Sequence, residues 1–260
     1  MTSTPSLSLT IAADTAAITI ARAAKRNALD TACWLALHQA CEQIAADERI
    51  RLVILRGEGD HFSAGADIHE LQQHIADKSW MSANQEAIAN ALDRYASLPQ
   101  PTIAAIRGSC FGGGAALAAA SDFRLCSIDA RFAITPSKLG LTYRLIDCLR
   151  VTDLIGSART RELLLLAREL DATTALDWGF VNEMHPAALL NDAVESMAAR
   201  ILSLSSYSAR GIKQSLLKIR DGQTTDDAET RAIFAAAFDG KDFAEGAAAF
   251  IEKRSPDFGS

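Results

Sequence analysis

The amino-acid sequence predicts an α/β fold, and three observations carry that expectation. Short β-branched runs recur at Leu52 to Arg56 and at Thr102 to Ile106. The first leads into the glycine segment Phe62-Ser63-Ala64-Gly65-Ala66-Asp67-Ile68 and the second into Gly108-Ser109-Cys110-Phe111-Gly112-Gly113-Gly114. Each segment opens an apolar, alanine-rich stretch, so strand, tight loop and helix start occur twice.

In chain order, Leu7 to Ile11 and Ala17 to Ile20 read as a strand pair turning around Asp14-Thr15. Leu52 to Arg56 reads as a third strand, whose continuous apolar character predicts burial on both faces. Between them, Asp30 can cap a helix whose apolar positions Trp34, Leu37, Cys41 and Ile44 recur at helical spacing. A helix begins at about Asp67, and another runs from about Met81 to Ser97. It stops at Leu98-Pro99-Gln100-Pro101, because a residue preceding proline is pushed out of the helical region. Thr102 to Ile106 is the next strand, followed by a short helix, a strand over Phe123 to Ser127 and an extended piece over Ala130 to Ile134. Beyond Arg159 the chain is expected to be essentially helical, with one apolar face at Ile212, Leu216 and Ile219 and another at Ile233, Phe234 and Phe238.

With 260 residues, 49% hydrophobic and 22% charged, the chain can bury a core as one large domain, or one domain and a short tail. A formal net charge of -6 supplies no basic surface for nucleic acid, although it leaves room for a local pocket around one phosphate. No apolar run approaches the roughly 18 to 20 residues that span a bilayer, so no membrane partner is expected. No Lys or Arg precedes Arg22, which lacks the basic character of a leader, and a cytoplasmic location is expected. The cysteines Cys33, Cys41, Cys110, Cys126 and Cys148 form no Cys-x-x-Cys pair and are expected to be reduced packing residues. Cys110 stands out because it lies in the second glycine segment.

No metal is expected. His69 and His74 lie five apart, which on a helix rotates them by about 140° and rules out the i, i+4 chelate. The glycine segments contain neither Gly-Lys-Ser/Thr nor Gly-x-Gly-x-x-Gly, and no Gly-x-Ser-x-Gly elbow is present. What the segments do offer is two helix starts, whose unpaired N–H groups and positive dipole ends can together hold a developing oxyanion.

Together with Lys25-Arg26-Asn27-Ala28-Leu29, Pro101 to Ile106, Ser121-Asp122-Phe123, Ala175 to Asn182, Glu245-Gly246 and Phe250 to Arg254, these segments resemble the crotonase superfamily, the enoyl-CoA hydratase/isomerase family of acyl-CoA enzymes. The resemblance runs nearly end to end. It implies a crotonase-like spiral of strand-strand-helix units over residues 1–200, carrying the active site. A C-terminal helical trimerisation region over 201–260 would pack on a neighbouring subunit, giving a homotrimer or a dimer of trimers. The implied substrate is an acyl-CoA thioester, with coenzyme A as part of the substrate and no separate cofactor. The amides of Ala66 and Gly113 match the family's oxyanion hole. Lys25, Ala64, Asp67, Ile68 and His69 lie where members contact CoA, and Phe250 and Lys253 where a neighbouring helix closes over the ligand.

The departures matter as much. Typical hydratases of the family carry a glutamate three residues after the oxyanion-hole glycine, where this chain has Ala116, and a second where it has Pro136. Alanine and proline can neither activate water nor deliver a proton. Phe62 to Gly65, Asp67 to Leu71, Thr135-Pro136, Leu139-Gly140, Tyr143 and the stretch from Phe243 to Pro256 resemble the methylmalonyl-CoA decarboxylases of the superfamily, which retain the first glutamate. Loss of CO₂ itself generates an enolate, so the oxyanion hole can supply most of the catalysis without a strong base.

In that reading Tyr143 hydrogen-bonds the substrate carboxylate and Thr135 helps to place the acyl group. Arg144, where some isomerases and dehalogenases carry aspartate, offers a bidentate carboxylate partner. Asp147 and Lys138 are secondary candidates, otherwise capping or surface groups. Three functions stay open at this point: a lyase or isomerase working through an enolate, a hydratase using other groups, and a non-catalytic acyl-CoA binder.

Overall fold

The computed structural model describes residues 6–258. β1 (Leu7–Ala12) and β2 (Thr15–Ile20) form an antiparallel hairpin, with Ala13 in the left-handed region at φ 52°. Asp30 caps α1 (Thr31–Ala46), its carboxylate accepting from the Cys33 amide at 2.8 Å, and Trp34, Leu37, Cys41 and Ile44 are all buried. β3 (Leu52–Gly57) leads through the first glycine segment to α2 (Ile68–Gln73), which Asp67 caps. α3 (Lys78–Ala96) starts before the expected Met81, because Asp77 accepts from the Trp80 amide at 3.0 Å and caps it there. β4 (Thr102–Ile106) is buried throughout.

β5 (Ser109–Phe111) lies inside the second glycine segment, followed by α4 (Gly113–Ala120), β6 (Phe123–Ser127) and β7 (Arg131–Ala133). The expectation of an essentially helical chain beyond Arg159 is corrected here. α5 (Leu145–Leu165) begins well before Arg159 and is broken at Gly156, whose φ of 74° is not helical. Two strands follow, β8 (Glu169–Asp171) and β9 (Glu183–His185), flanking α6 (Ala172–Asp177). Strands this short show no period of two to read. The chain then closes with α7 (Leu190–Leu202), α8 (Ser206–Arg220), α9 (Ala228–Phe238) and α10 (Lys241–Glu252).

The main sheet has the order β1-β2-β3-β4-β6-β9, parallel from β2 onward, and a second sheet has the order β5-β7-β8. Along β4, Ala104 and Ile106 face a core shared with Trp34, Leu37, Tyr95 and Leu117 from α1, α3 and α4. Ile103 and Ala105 face the other way, packing with Leu190, Val194 and Ala198 of α7. The parallel strands are thus covered on both faces, as their apolar runs predict. The C-terminal helices leave Ile212, Leu216, Ile219, Phe234 and Phe238 exposed. Among the described residues, no helix is long and apolar enough to cross a membrane.

Candidate active site

The two glycine segments are joined through their backbones. The Ser63 amide donates to Ser109 O and the Phe111 amide to Ser63 O, both at 2.9 Å, a parallel bridge between the segments. On the other side, Ala64 donates to Arg26 O at 2.9 Å, Leu29 to Gly65 O at 2.7 Å and Asp67 to Leu29 O at 2.9 Å. Ser63 Oγ donates to Asn27 O at 2.8 Å and accepts from the Gly65 amide at 3.1 Å. Gly112 donates to Ala133 O at 2.8 Å.

This leaves two amides over. Among the described residues, neither Ala66 N–H nor Gly113 N–H meets a protein acceptor. Gly113 is the first residue of α4, so its N–H has no partner within the helix and the positive end of the dipole lies behind it. Ala66 is exposed, immediately before α2. Both amides are thus free to donate to an external acceptor, Ala66 at the surface and Gly113 partly buried.

Glycine is required where the loops touch. Gly65 has φ 92°, and a Cβ there would lie 3.0 Å from Phe111 O. Gly112 has φ 50° and ψ -110°, a conformation that side chains exclude.

The structure brings Lys25, Ala64, Ala66, Ile68 and His69 to one edge through the ladder between residues 25–29 and 64–67; Ile68 and His69 are exposed at the start of α2. Asp67 is placed differently from the expected ligand contact. It is buried, receives Arg22 at 2.8 Å and Lys25 at 2.9 Å, and caps α2. A carboxylate so engaged is a framework group. It also partners Lys25, which stays half exposed at 54%. Arg22 further pairs with Asp30 at 2.9 Å and donates to Ala28 O. This cluster was invisible in the sequence, since no periodicity links Arg22 to Asp67. Buried Asn27 is a second residue missed, with φ 56° and bonds to Glu58 O and His61 O that hold the loop.

Burial opposes ionisation of Asp67, but the hydrogen bonds from Lys25 and Arg22 prevail and hold its carboxyl down at about 2. A depressed carboxyl contributes stability above its unfolded value near 4 and loses it as pH falls through the folded value. Asp67→Asn should therefore cost about 2 kcal/mol at neutral pH, the deficit closing between roughly pH 4 and pH 2. Urea denaturation of both proteins across that range checks this, and curves that stay parallel would refute it.

Thr135 is half-buried after β7, ahead of a 3-10 turn at Pro136–Leu139. The Tyr143 hydroxyl reaches Gly112 O at 3.4 Å, beside the Gly113 amide, and burial pushes its phenol well above the ordinary range. It is a neutral donor. Arg144 does not face an open carboxylate site, because it pairs with Asp93 at 2.6 Å and Asp147 at 3.7 Å. Asp147 is neither cap nor surface group: it is buried against Arg150 at 2.7 Å, and burial raises its carboxyl more than the two arginines lower it. Lys138 is on the surface.

Ala116 is buried one turn into α4, and Pro136 occupies the other expected acid position. All five cysteines are free thiols, and burial pushes that of Cys110 far up. Phe250, 86% exposed, lines a groove of about 1250 Å³ with Phe238, Phe243 and Phe258, while Lys253 ends α10. None of the glycine-segment residues lines that groove, so within one chain Phe250 is not brought to the loops.

A sequence model of the family described as Enoyl-CoA hydratase/isomerase matches residues 10–260. The mitochondrial Delta(3,5)-Delta(2,4)-dienoyl-CoA isomerase of Dictyostelium discoideum is 32% identical over 257 residues, covering 94% of this chain and 87% of that protein. The carnitinyl-CoA dehydratase of Salmonella enteritidis is 30% identical, covering 89% of this chain and 90% of its own length. The crystal structure of an enoyl-CoA hydratase/carnithine racemase from Magnetospirillum magneticum superposes with a TM-score of 0.92 at 33% identity, covering 98% of this chain and 96% of that one. With the family match running almost end to end and the same fold in its solved relatives, the protein belongs to the enoyl-CoA hydratase/isomerase family, enzymes acting on CoA thioesters, and has the crotonase fold.

Proposed function

We infer that the protein binds an acyl-CoA thioester with its carbonyl oxygen between the amides of Ala66 and Gly113, and stabilises the enolate that forms there. The observation that carries this reading is the pair of unpartnered amides on loops in backbone contact, with Ala116 and Pro136 beside them in place of acids. Preorganised donors aimed at developing charge are the largest single contribution such a site can make. Lys25, exposed at the loop edge, supplies a cation for the phosphates of CoA.

The reaction best matched to these residues is a lyase of the decarboxylase type. When the C–C bond to the departing carboxylate breaks, its electron pair enters the thioester as an enolate, and the negative charge develops at the oxygen held by the two amides. CO₂ leaves, and the carbon then takes a proton from solvent water, the hydroxide left being neutralised by the buffer. Neither step needs a carboxylate base. The neighbouring acids are already engaged, Asp67 by Arg22 and Lys25, Asp147 by Arg150, and Glu70 by the Thr31 amide at 2.9 Å. Tyr143, neutral and next to the second loop, is assigned as the donor to the substrate carboxylate, its hydroxyl turning to it from Gly112 O, where it rests at a long 3.4 Å. Double-bond isomerisation would place its dienolate on the same two amides but needs a base to take the first proton, and it is the companion reading, favoured by the isomerase among the relatives. The exposed apolar faces of α8 and α9 support assembly as a trimer.

Incubation with methylmalonyl-, malonyl-, crotonyl- and 3-enoyl-CoA, followed by mass and absorbance, tests the reading. Loss of CO₂ is expected, and addition of water to crotonyl-CoA alone would overturn it. Tyr143→Phe should slow decarboxylation about 10- to 100-fold, the worth of a hydrogen bond to a charged group. An unchanged rate would remove Tyr143 from the mechanism.

A further inference from the structure

The strands that deliver the two glycine segments each carry an arginine near their carboxyl end, Arg56 as the penultimate residue of β3 and Arg107 just after β4. Both line a cavity of about 330 Å³ together with Thr19, Glu58, Asp60 and His61. Register places Thr19, Arg56 and Ala105 side by side across β2, β3 and β4, at the carboxyl ends of parallel strands. That end of an open α/β sheet is where ligands characteristically bind. Ala105 shares its face with α7, whereas α4 covers the opposite face, so the cavity lies across the sheet from the start of α4.

Among the described residues the Arg56 side chain donates only to the neutral Thr19 Oγ1 at 3.3 Å, and that of Arg107 only to Ala187 O at 3.0 Å. Among the described residues neither has a carboxylate within ion-pair distance, although Glu58 and Asp60 line the same cavity. The His61 ring accepts the Ser109 amide through Nδ1 at 3.2 Å, which fixes its proton on Nε2 and makes it a further donor. Two guanidinium groups and an imidazole N–H around one cavity match the several oxygens of a phosphate group, which can accept from more than one fork at once.

We propose that this cavity binds a phosphate group, as the free ion or as a small monoester, at a site separate from the thioester site. Glu58 and Asp60 line the same cavity and oppose an anion there, which keeps the affinity low.

The test is calorimetric titration of the full-length protein with inorganic phosphate, at ionic strength held constant with chloride. Saturable binding is expected, weakened about tenfold or more by Arg56→Gln and by Arg107→Gln, tightened by Glu58→Gln, and unchanged by Lys25→Gln. Tightening by Glu58→Gln is a gain, which a misfolded variant cannot imitate. Parallel titration with methyl phosphate separates the sources: tighter binding than inorganic phosphate assigns a monoester, weaker binding the free ion. The absence of saturable binding, binding indifferent to both arginine substitutions, or binding lost in Lys25→Gln would each overturn the proposal.

Discussion

Replacing Gly113 by proline will lower kcat by about 10²- to 10³-fold relative to Gly113→Ala, the cost of losing one oxyanion donor. The comparison rests on geometry. A Cβ at Gly113 would lie 3.0 Å from Trp34 Cζ2 and 3.2 Å from Leu29 Cδ1, so both substitutions crowd the same two side chains. Both also keep the helix start, since Gly113 opens α4 and proline is well tolerated at the first helical position. Alanine keeps the N–H, whereas proline replaces its hydrogen with a ring carbon and restrains Gly112 before it. Measuring kcat and KM of both on the thioester turned over separates the two effects, because loss of the donor lowers kcat, whereas exclusion of the substrate by the ring raises KM. Equal rates in proline and alanine would show that the Gly113 amide holds no charge in the transition state.

The parts of this site made from backbone were legible in the sequence, and the parts made from side chains far apart in the chain were not. Glycine at positions 65 and 112 announces a conformation that other residues avoid, and Asp30 and the apolar spacing of α1 are local signals that the structure repeats. Asp67 shows the limit. In sequence it is one more residue of a loop, and only folding sets it against Arg22 and Lys25, 45 and 42 positions away. Asp147 is misjudged for a different reason: its partners Arg144 and Arg150 lie three residues to either side, but nothing nearby in sequence reveals that folding buries it or that α3 brings Asp93 to the same two arginines. The strands β8 and β9 escaped because three residues of mixed polarity acquire a strand's conformation from their partners β7 and β6, rather than from their own propensity.

Lys213→Met is expected to destabilise the fold by about 2 to 3 kcal/mol, at the lower end for breaking a buried ion pair because its partner is partly exposed. Lys213 of α8 is nearly buried, and its ammonium donates to Asp122 at 2.6 Å and to Gln100 O at 2.8 Å. The same Asp122 oxygen accepts from the Thr102 amide at 2.7 Å, so this single carboxylate joins the start of β4 to the C-terminal helices. Arg210, also on α8, donates to Ile50 O at 2.8 Å, and Arg51 donates to Leu202 O at 2.7 Å and Leu204 O at 2.9 Å, at the end of α7 and in the turn before α8. α8 is therefore fastened by charges aimed into the core, while its apolar residues Ile212, Leu216 and Ile219 face outward. Removing the ammonium leaves Asp122 without its cation, so Asp122→Asn in the same chain should recover part of the loss, a coupling that independent sites would not show. Urea denaturation at one fixed protein concentration measures both effects, the concentration being held because association adds to apparent stability. A midpoint unmoved by Lys213→Met would mean that α8 is held by packing, with the ion pair contributing nothing.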